Sequence, residues 1–152
     1  MPRKEKREAL IDIKLSAHIP EHYVGSSAVR MSMYKRIADI RDRRDAEDII
    51  DEFTDRFGDM PPATERLINV ALAKALAEEA GIERIALSDG RLSFSGAALD
   101  IPRWSELFDK FKPMAFLNRG TPTVVHTMSR GTDPAQVAAQ ILSAYFDVGA
   151  EE

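Results

Sequence analysis

Apolar residues recur along this chain mainly at helical spacing, and the longest such pattern runs from Asp45 to Gly81. It predicts a helix, a tight connector and a second, longer helix that Gly81 closes. Asp45 is a residue type that caps helix N-termini and Asp48 follows three positions later, so we expect the first helix to begin at Asp45. Gly58 then ends this helix in a left-handed conformation, and Pro61 and Pro62 open the next one. The connector is therefore the corner of a helical hairpin.

Both helices of this hairpin carry an apolar stripe. In the first helix the stripe consists of Ala46, Ile49, Ile50, Phe53 and Phe57. In the second helix it consists of Leu67, Val70, Ala71, Lys74, Leu76 and Ala77. Since both sets recur at helical spacing, we expect the two stripes to meet across the corner.

The segment before the hairpin predicts a strand and one further helix. Apolar and polar residues alternate from Ile11 to Ala17, which is the pattern of a half-buried strand, and Pro20 ends it. Ser26 or Ser27 caps the following helix. This helix carries two apolar stripes, so we expect it to be in contact on two sides. The stripes are Val29, Met33, Ile37 and Ile40, and Met31, Tyr34 and Ala38.

The second half of the chain predicts a hairpin and a short helix. Residues 82–88 and 91–95 read as two strands joined by Asp89 and Gly90, because the favoured two-residue turn requires positive φ at both positions. Pro102 opens a short helix with an apolar stripe of four residues. They are Trp104, Leu107, Phe108 and Phe111.

The last segment predicts a loop, a strand and a helix. Pro113 and the Gly120 to Pro122 turn indicate a loop, and the β-branched residues of 123–129 indicate a strand. Asp133 and Pro134 supply an N-cap and a first-turn proline for a final helix.

Together these elements predict a single α+β domain, in which a small, mostly antiparallel sheet packs with about five helices, including the helical hairpin. We expect the domain to cover residues 10–148, preceded by a charged linker at 1–9 and followed by a frayed tail at 149–152.

Composition narrows the function. Lysine and arginine number 21 against 25 acidic residues, which gives a net charge of −4 and disfavours a sequence-independent nucleic-acid binder. The chain has no cysteine, which excludes disulfides and cysteine-bound zinc. No apolar run is long enough to span a bilayer, and no signal peptide is recognisable, so we expect a cytoplasmic protein.

A search for catalytic motifs is negative. The sequence has no phosphate-binding glycine loop, no nucleophile elbow and no His-Glu-x-x-His helix. His18, His22 and His126 lack carboxylate partners at metal-ligand spacing and are interpreted as ordinary hydrogen-bonding residues. We therefore expect no catalytic residue, no cofactor and no metal in this chain.

Four short blocks carry a family resemblance. They are Ile19 to Val24, Arg30 to Ala38, Asp55 to Gly58 with Met60 and Pro61, and Gly81 to Ile85. In order and spacing these blocks resemble the C-terminal domain of the bacterial transcription-repair coupling factor, with close similarity over roughly residues 10 to 86. The most specific part is the combination of Tyr34 to Arg36 with Asp55 to Gly58. The structural motif positions are Tyr34, Lys35, Arg36, Arg56, Phe57, Gly58, Pro61 and Gly81.

The resemblance implies a non-catalytic regulatory domain of a large ATP-driven DNA translocase that acts in transcription-coupled DNA repair. In that family the domain docks on an amino-terminal module similar to a repair helicase, hides the surface that binds the damage sensor and restrains the motor. RNA polymerase, DNA and the damage sensor are then partners of the longer protein, and neither a membrane nor direct nucleic-acid contact is expected here. Two alternatives remain open: a nucleic-acid adaptor that uses the basic patch Arg41 to Arg44, and a small enzyme with an unrecognised site.

The candidate interface lies on the first helix of the hairpin. At about 100° per residue, Asp48, Asp51, Glu52 and Asp55 lie opposite the apolar stripe. Arg56 is the only basic residue from Asp45 to Asp59, so the pattern predicts an acidic ridge without internal neutralisation. The resemblance implies that the positions of Glu52 and Asp55 meet arginines of the amino-terminal module.

Overall fold

The computed structural model describes residues 8–149, which contain five strands and five helices. The strands are β1 (Leu10–Asp12), β2 (Arg84–Ser88), β3 (Arg91–Ser95), β4 (Met114–Asn118) and β5 (Pro122–Thr127). The helices are α1 (Ser27–Ala38), α2 (Arg43–Phe57), α3 (Pro62–Glu79), α4 (Ile101–Ser105) and α5 (Pro134–Asp147). The predicted linker falls mostly, and the predicted tail largely, outside the described residues.

The strands form one sheet in the order β1-β2-β3-β5-β4. β1 pairs with β2 in parallel, and the remaining three pairings are antiparallel. One face of the sheet is fully buried at Ile85, Phe94 and Val124, which lie side by side across three strands. The predicted α+β fold with a mostly antiparallel sheet is therefore confirmed.

Helix α2 begins earlier than predicted. Its N-cap is Asp42, whose carboxylate accepts a hydrogen bond from the Asp45 N–H at 2.9 Å. Asp45 lies in the first turn and accepts a hydrogen bond from the Arg41 N–H at 3.0 Å. The predicted N-cap at Asp45 is thus wrong by three residues, because the carboxylate that caps the first turn belongs to Asp42.

The predicted corner between α2 and α3 is confirmed. Gly58 follows α2 with φ 84° and ψ −161°, so it has the expected positive φ but an extended rather than a left-handed helical ψ. Pro61 is the N-cap residue of α3. At the far end of α3, the Gly81 N–H donates to Glu78 O at 3.3 Å and the Ile82 N–H to Ala77 O at 2.8 Å, a paired C-terminal motif in which Gly81 has φ 74°.

Helix α3 is the centre of the helical layer. It packs most extensively against α5 and less against α1 and α2. Its most buried residues therefore differ from the predicted stripe, of which only Leu76 and Ala77 are fully buried. The buried residues are Thr64, Ile68, Leu72, Ala73, Leu76 and Ala77. In the second half of the chain, Trp104 fills the space between Phe94 and Tyr145, with ring centroids 5.3 and 5.1 Å away.

Three predicted elements differ from the structure. The first strand covers Leu10–Asp12 only, although the alternation of half-buried and exposed side chains continues to Ala17. Helix α4 ends at Ser105, before most of its predicted stripe. Residues Met114–Asn118, predicted as a loop, form strand β4.

In helix α1 the first apolar stripe and the cap at Ser26 are confirmed, since Met33, Ile37 and the following Ile40 are buried. The second stripe makes the expected contact only at Tyr34, which packs against the core, whereas Met31 is 59% exposed and Ala38 is also exposed.

Candidate functional site: the acidic face of helix α2

Helix α2 separates apolar from acidic residues. Ala46, Ile49 and Phe53 are buried on one side. Asp48, Asp51 and Asp55 are exposed on the other side, and their spacing of three, four and seven residues aligns them along the helix. The stripe of these three aspartates is called the aspartate stripe below.

No hydrogen bond or ion pair neutralises the aspartate stripe within residues 8–149. The stripe therefore presents three solvated negative charges on one helical surface, as the sequence predicts. A plain solvated surface and a docking surface share this geometry, so the exposed charges alone do not define a site.

Glu52 differs from the aspartate stripe because two arginines bind it. Its Oε1 lies 2.5 Å from Nη1 of Arg36, and its Oε2 lies 3.0 Å from Nη1 of Arg56. The hydrogen bond from Arg36 is the main cause that lowers the pKa of Glu52, and the bond from Arg56 adds to it. The predicted absence of internal neutralisation is therefore wrong at Glu52. The sequence shows the Arg56 pairing by its spacing, but Arg36 belongs to α1 and reaches Glu52 only in the folded chain.

The blocks that carry the family resemblance contact one another around the corner. The Tyr34 hydroxyl accepts a hydrogen bond from the Ile19 N–H at 2.8 Å. The Tyr23 hydroxyl donates to Gly58 O at 2.7 Å, and the Tyr23 ring packs against Phe57 with centroids 5.8 Å apart. These motif residues therefore join α1, the segment before it and the corner after α2 into one rigid unit.

Arg36, Arg56 and Pro61 belong to the same unit. Arg36 and Arg56 meet at Glu52, the Arg56 guanidinium lies 5.0 Å from the centroid of the Phe57 ring, and Pro61 is the N-cap residue of α3. Lys35 is exposed. Apart from Lys35, and from Gly81 at the far end of α3, the motif positions hold the acidic helix in place.

The basic patch Arg41 to Arg44 is partly used inside the domain. The Arg43 guanidinium donates two hydrogen bonds to the Asp147 carboxylate of α5, at 2.7 and 3.3 Å. Asp42 lies within the patch and caps α2. Arg41 and Arg44 remain exposed, which leaves a small basic surface for the adaptor alternative.

Histidines and acids form no metal site in the described part of the chain, where no group of three potential ligands is close enough to hold an ion. The His126 Nδ1 lies 2.7 Å from Phe111 O, and the His18 Nδ1 lies 3.4 Å from the Ser16 hydroxyl. None of the helices in residues 8–149 is long and apolar enough to cross a membrane.

A cleft of about 720 Å³ between α2, α3 and α5 has no counterpart in the sequence pattern. Glu47 and Glu65 contribute acidic side chains to its wall, and Asn69, Gln136 and Gln140 contribute amides. The sequence could not reveal it, because its wall combines α2 and α3 with residues of α5 that follow more than 50 positions later in the chain.

Comparisons with known proteins show one family and one similar fold. The sequence model of the TRCF domain family matches residues 13–99. Proteins described as transcription-repair-coupling factor are similar over part of the chain: one from Mycobacterium tuberculosis is 34% identical over 79 residues, 52% of this chain and 6% of that protein. One from Bacillus subtilis is 35% identical over 83 residues, 55% of this chain and 7% of that protein.

The chain thus spans only 6 to 7% of the length of these curated relatives. A solved structure described as the C-terminal domain of transcription-repair coupling factor has the same fold, with a TM-score of 0.79 and 17% identity, over 95% of this chain and 96% of that one.

Proposed function

This chain belongs to the TRCF domain family, and we propose on that premise that it is a docking domain that performs no catalysis of its own. In the longer protein that the family resemblance implies, it binds an amino-terminal module similar to a repair helicase. Docking covers the surface that binds the damage sensor and restrains a DNA translocase motor. The proposed setting is transcription-coupled DNA repair, and because RNA polymerase and DNA are cytoplasmic in bacteria, we propose that compartment for the domain.

The observation that supports docking is the aspartate stripe beside Glu52. Three solvated carboxylates lie on a helix that the family motifs hold rigidly, so little conformational entropy is lost when a basic partner binds. Glu52 sits at the edge of the stripe with 30% of its side chain exposed. It can offer its remaining acceptor capacity to a partner arginine while Arg36 and Arg56 keep it oriented.

Docking regulates the longer protein by a shift in populations. The aspartate stripe and Glu52 together form the acidic face of α2. Contacts to this face exist only in the closed state, so they favour that state by their free energy. A partner that binds only the open state, such as engaged RNA polymerase, then displaces the domain and exposes the sensor-binding surface. The two equilibria are coupled reciprocally, so the acidic face weakens the binding of that partner as much as the partner weakens docking.

The experiment removes two charges from the acidic face without touching the Glu52 pairs. Asp51→Asn with Asp55→Asn is expected to leave the melting temperature unchanged and to weaken binding to the isolated amino-terminal module at least about tenfold, because each lost pair leaves a partner cation unpaired. Calorimetric titration of the purified module measures the affinity. The residual binding should also depend less on salt concentration.

A matched control removes the same total charge elsewhere. Asp89→Asn with Glu106→Gln changes two exposed acids outside α2 and should bind like the original chain. If the original chain, the α2 double variant and the control variant all bind the module with equal affinity, the acidic face is not part of the interface. Tight binding of the domain to duplex DNA at physiological salt, without binding to the module, would replace the proposal with the adaptor alternative.

A further inference from the structure

The two edge strands of the sheet differ in whether another element covers them. At the β1 edge, helix α3 packs against the strand, and the Ala9 N–H donates to the Glu78 carboxylate of α3 at 3.1 Å. At the opposite edge, β5 is the only described element that packs extensively against β4. One edge is therefore closed within the domain, and the other is open.

The hydrogen-bond pattern shows which backbone groups of β4 are free. The Thr127 N–H donates to Pro113 O at 3.1 Å, while Pro122 O accepts from Gly96 on the other side of β5 at 3.2 Å. Because the direction of backbone groups alternates along an antiparallel strand, Ala115 and Leu117 of β4 point their N–H and C=O groups toward β5. The groups of the other three β4 residues point away from the sheet. These residues are Met114, Phe116 and Asn118.

Strand β4 lacks the features that normally protect an open edge. Such edges are usually blunted by charged residues, proline or a bulge, yet none interrupts Met114–Asn118, which pairs with β5 in regular register. Leu117 is 39% exposed on the outer face. Phe116 is half-buried on the inner face against Phe108, with ring centroids 4.9 Å apart. The edge thus offers three backbone positions between two small apolar surfaces.

Charges at the two ends of β4 indicate what kind of strand fits. Lys112 lies just before the strand and Arg119 follows it. Within residues 8–149 the one ion pair that involves either of them joins Lys112 to the exposed Asp109, at 3.4 Å. Antiparallel pairing of two copies over the full strand would bring Arg119 of one copy close to Lys112 of the other, which is repulsive. A segment with acids at both ends has the complementary charge.

We propose that β4 binds an extended segment of a different protein, which adds a sixth strand to the sheet. The segment has apolar or β-branched residues at its centre, next to Phe116 and Leu117, and Asp or Glu at both ends, next to Lys112 and Arg119. Backbone hydrogen bonds supply most of the affinity in this type of binding, and the side chains and end charges supply the specificity. The surface is separate from the acidic face of α2, so this inference stands independently of the proposed docking function.

The first test compares two synthetic peptides on the full chain. Both have a centre of alternating valine and threonine, and one is flanked by glutamates and the other by lysines. We expect the glutamate-flanked peptide to bind at least about tenfold more tightly at low salt. Amide resonances should shift, and hydrogen exchange should slow, at Met114, Phe116 and Asn118 more than at Ala115 and Leu117.

The second test removes one outward donor without disturbing the sheet. Asn118→Pro deletes an N–H that faces away from β5 and lies opposite Pro122, which itself has no N–H. The melting temperature should stay within a few degrees, while affinity for the glutamate-flanked peptide falls at least about tenfold. Asn118→Ala keeps the N–H and is the matched control, with unchanged affinity.

Several outcomes would overturn the inference. Equal binding of both peptides, or no binding at peptide concentrations of about 1 mM, would show that β4 does not select a segment with acidic ends. Dimerisation of the chain in ultracentrifugation, with slow exchange at β4 before any peptide is added, would assign the edge to a second copy. If Asn118→Pro alters the fold, the peptide comparison on the original chain decides alone.

Discussion

Two glycines are required for different physical reasons. At Gly58 a Cβ would meet nothing within 4 Å, so space is available, but the backbone has φ +84° and an extended ψ, a region that almost only glycine adopts. At Gly96 the backbone is ordinary, but a Cβ would lie 2.5 Å from Gly81 O. The first glycine is needed for its conformation and the second for the close approach of two chain segments.

Gly58→Ala therefore measures backbone strain alone. We expect it to lower the free energy of unfolding by about 1 to 3 kcal/mol, since no steric contact adds to the conformational cost. Urea denaturation measures the change. Gly25→Ala is the control, because Gly25 does not have a positive φ and its Cβ would lie 3.9 Å from the nearest atom, Glu21 O. A loss at Gly25 as large as at Gly58 would show that backbone conformation is not the cause.

At the scale of elements, Glu52 joins α1 to α2. Because Arg36 and Arg56 lower its pKa in the folded chain, its carboxylate stabilises the fold fully above its ordinary pKa of 4.5. This contribution is lost as the pH falls through the lowered folded-state value. All three side chains are partly exposed to solvent, so the contribution is small, about 0.5 to 1 kcal/mol.

Glu52→Gln should thus lower the free energy of unfolding by that amount at pH 7 and by less at about pH 3, because the contribution decreases as the pH falls below 4.5. Chemical denaturation at the two pH values gives the difference. Asp51→Asn is the matched control on the same helix, and since Asp51 has no partner within residues 8–149 it should change stability at neither pH. A loss at Glu52 that is equal at both pH values would assign its effect to packing instead of charge.

Elements with local signals could be predicted, and elements that depend on distant contacts could not. The β2-β3 hairpin follows from Asp89 and Gly90, which have φ 52° and 74° as the turn requires. Strand β4 has no such signal: its Met, Ala, Phe, Leu and Asn form a strand because β5 pairs with them. The segment after β1 leaves the sheet because α3 takes over its backbone groups, as when the Thr64 hydroxyl donates to His18 O at 3.1 Å.

The same distinction applies to the candidate site. The aspartate stripe could be predicted, because helical spacing alone aligns its three residues. The engagement of Glu52 by Arg36 could not, because it depends on how α1 crosses α2. A carboxylate is therefore recognisable from sequence as a member of a charged surface, but whether its charge is free depends on the tertiary structure.

At the scale of the whole molecule, the folding unit is longer than the family match. The match ends at residue 99, yet α3 packs most extensively against α5, and β3 pairs with β5 along its whole length. Trp104, fully buried, also comes from the second half. The two halves share one core, so neither is expected to fold without the other.

A fragment that ends at Leu99 tests this dependence. It keeps the matched residues but would expose the buried face of α3 and leave Phe94 without its Trp104 contact. We expect it to show no cooperative thermal transition by circular dichroism, whereas the full chain melts in a single step. A sharp transition in the fragment would make residues 13–99 a domain in their own right.

The parallel pairing of β1 with β2 also has a consequence for the order of folding. Three helices separate the two strands in the chain, so their pairing must close a long loop. Only three paired residues offset the entropic cost of this closure. The β2-β3 hairpin closes over two residues and can form early. We therefore expect β1 to be the last strand to join the sheet, and its backbone amides to exchange hydrogen faster than those of β2 and β3.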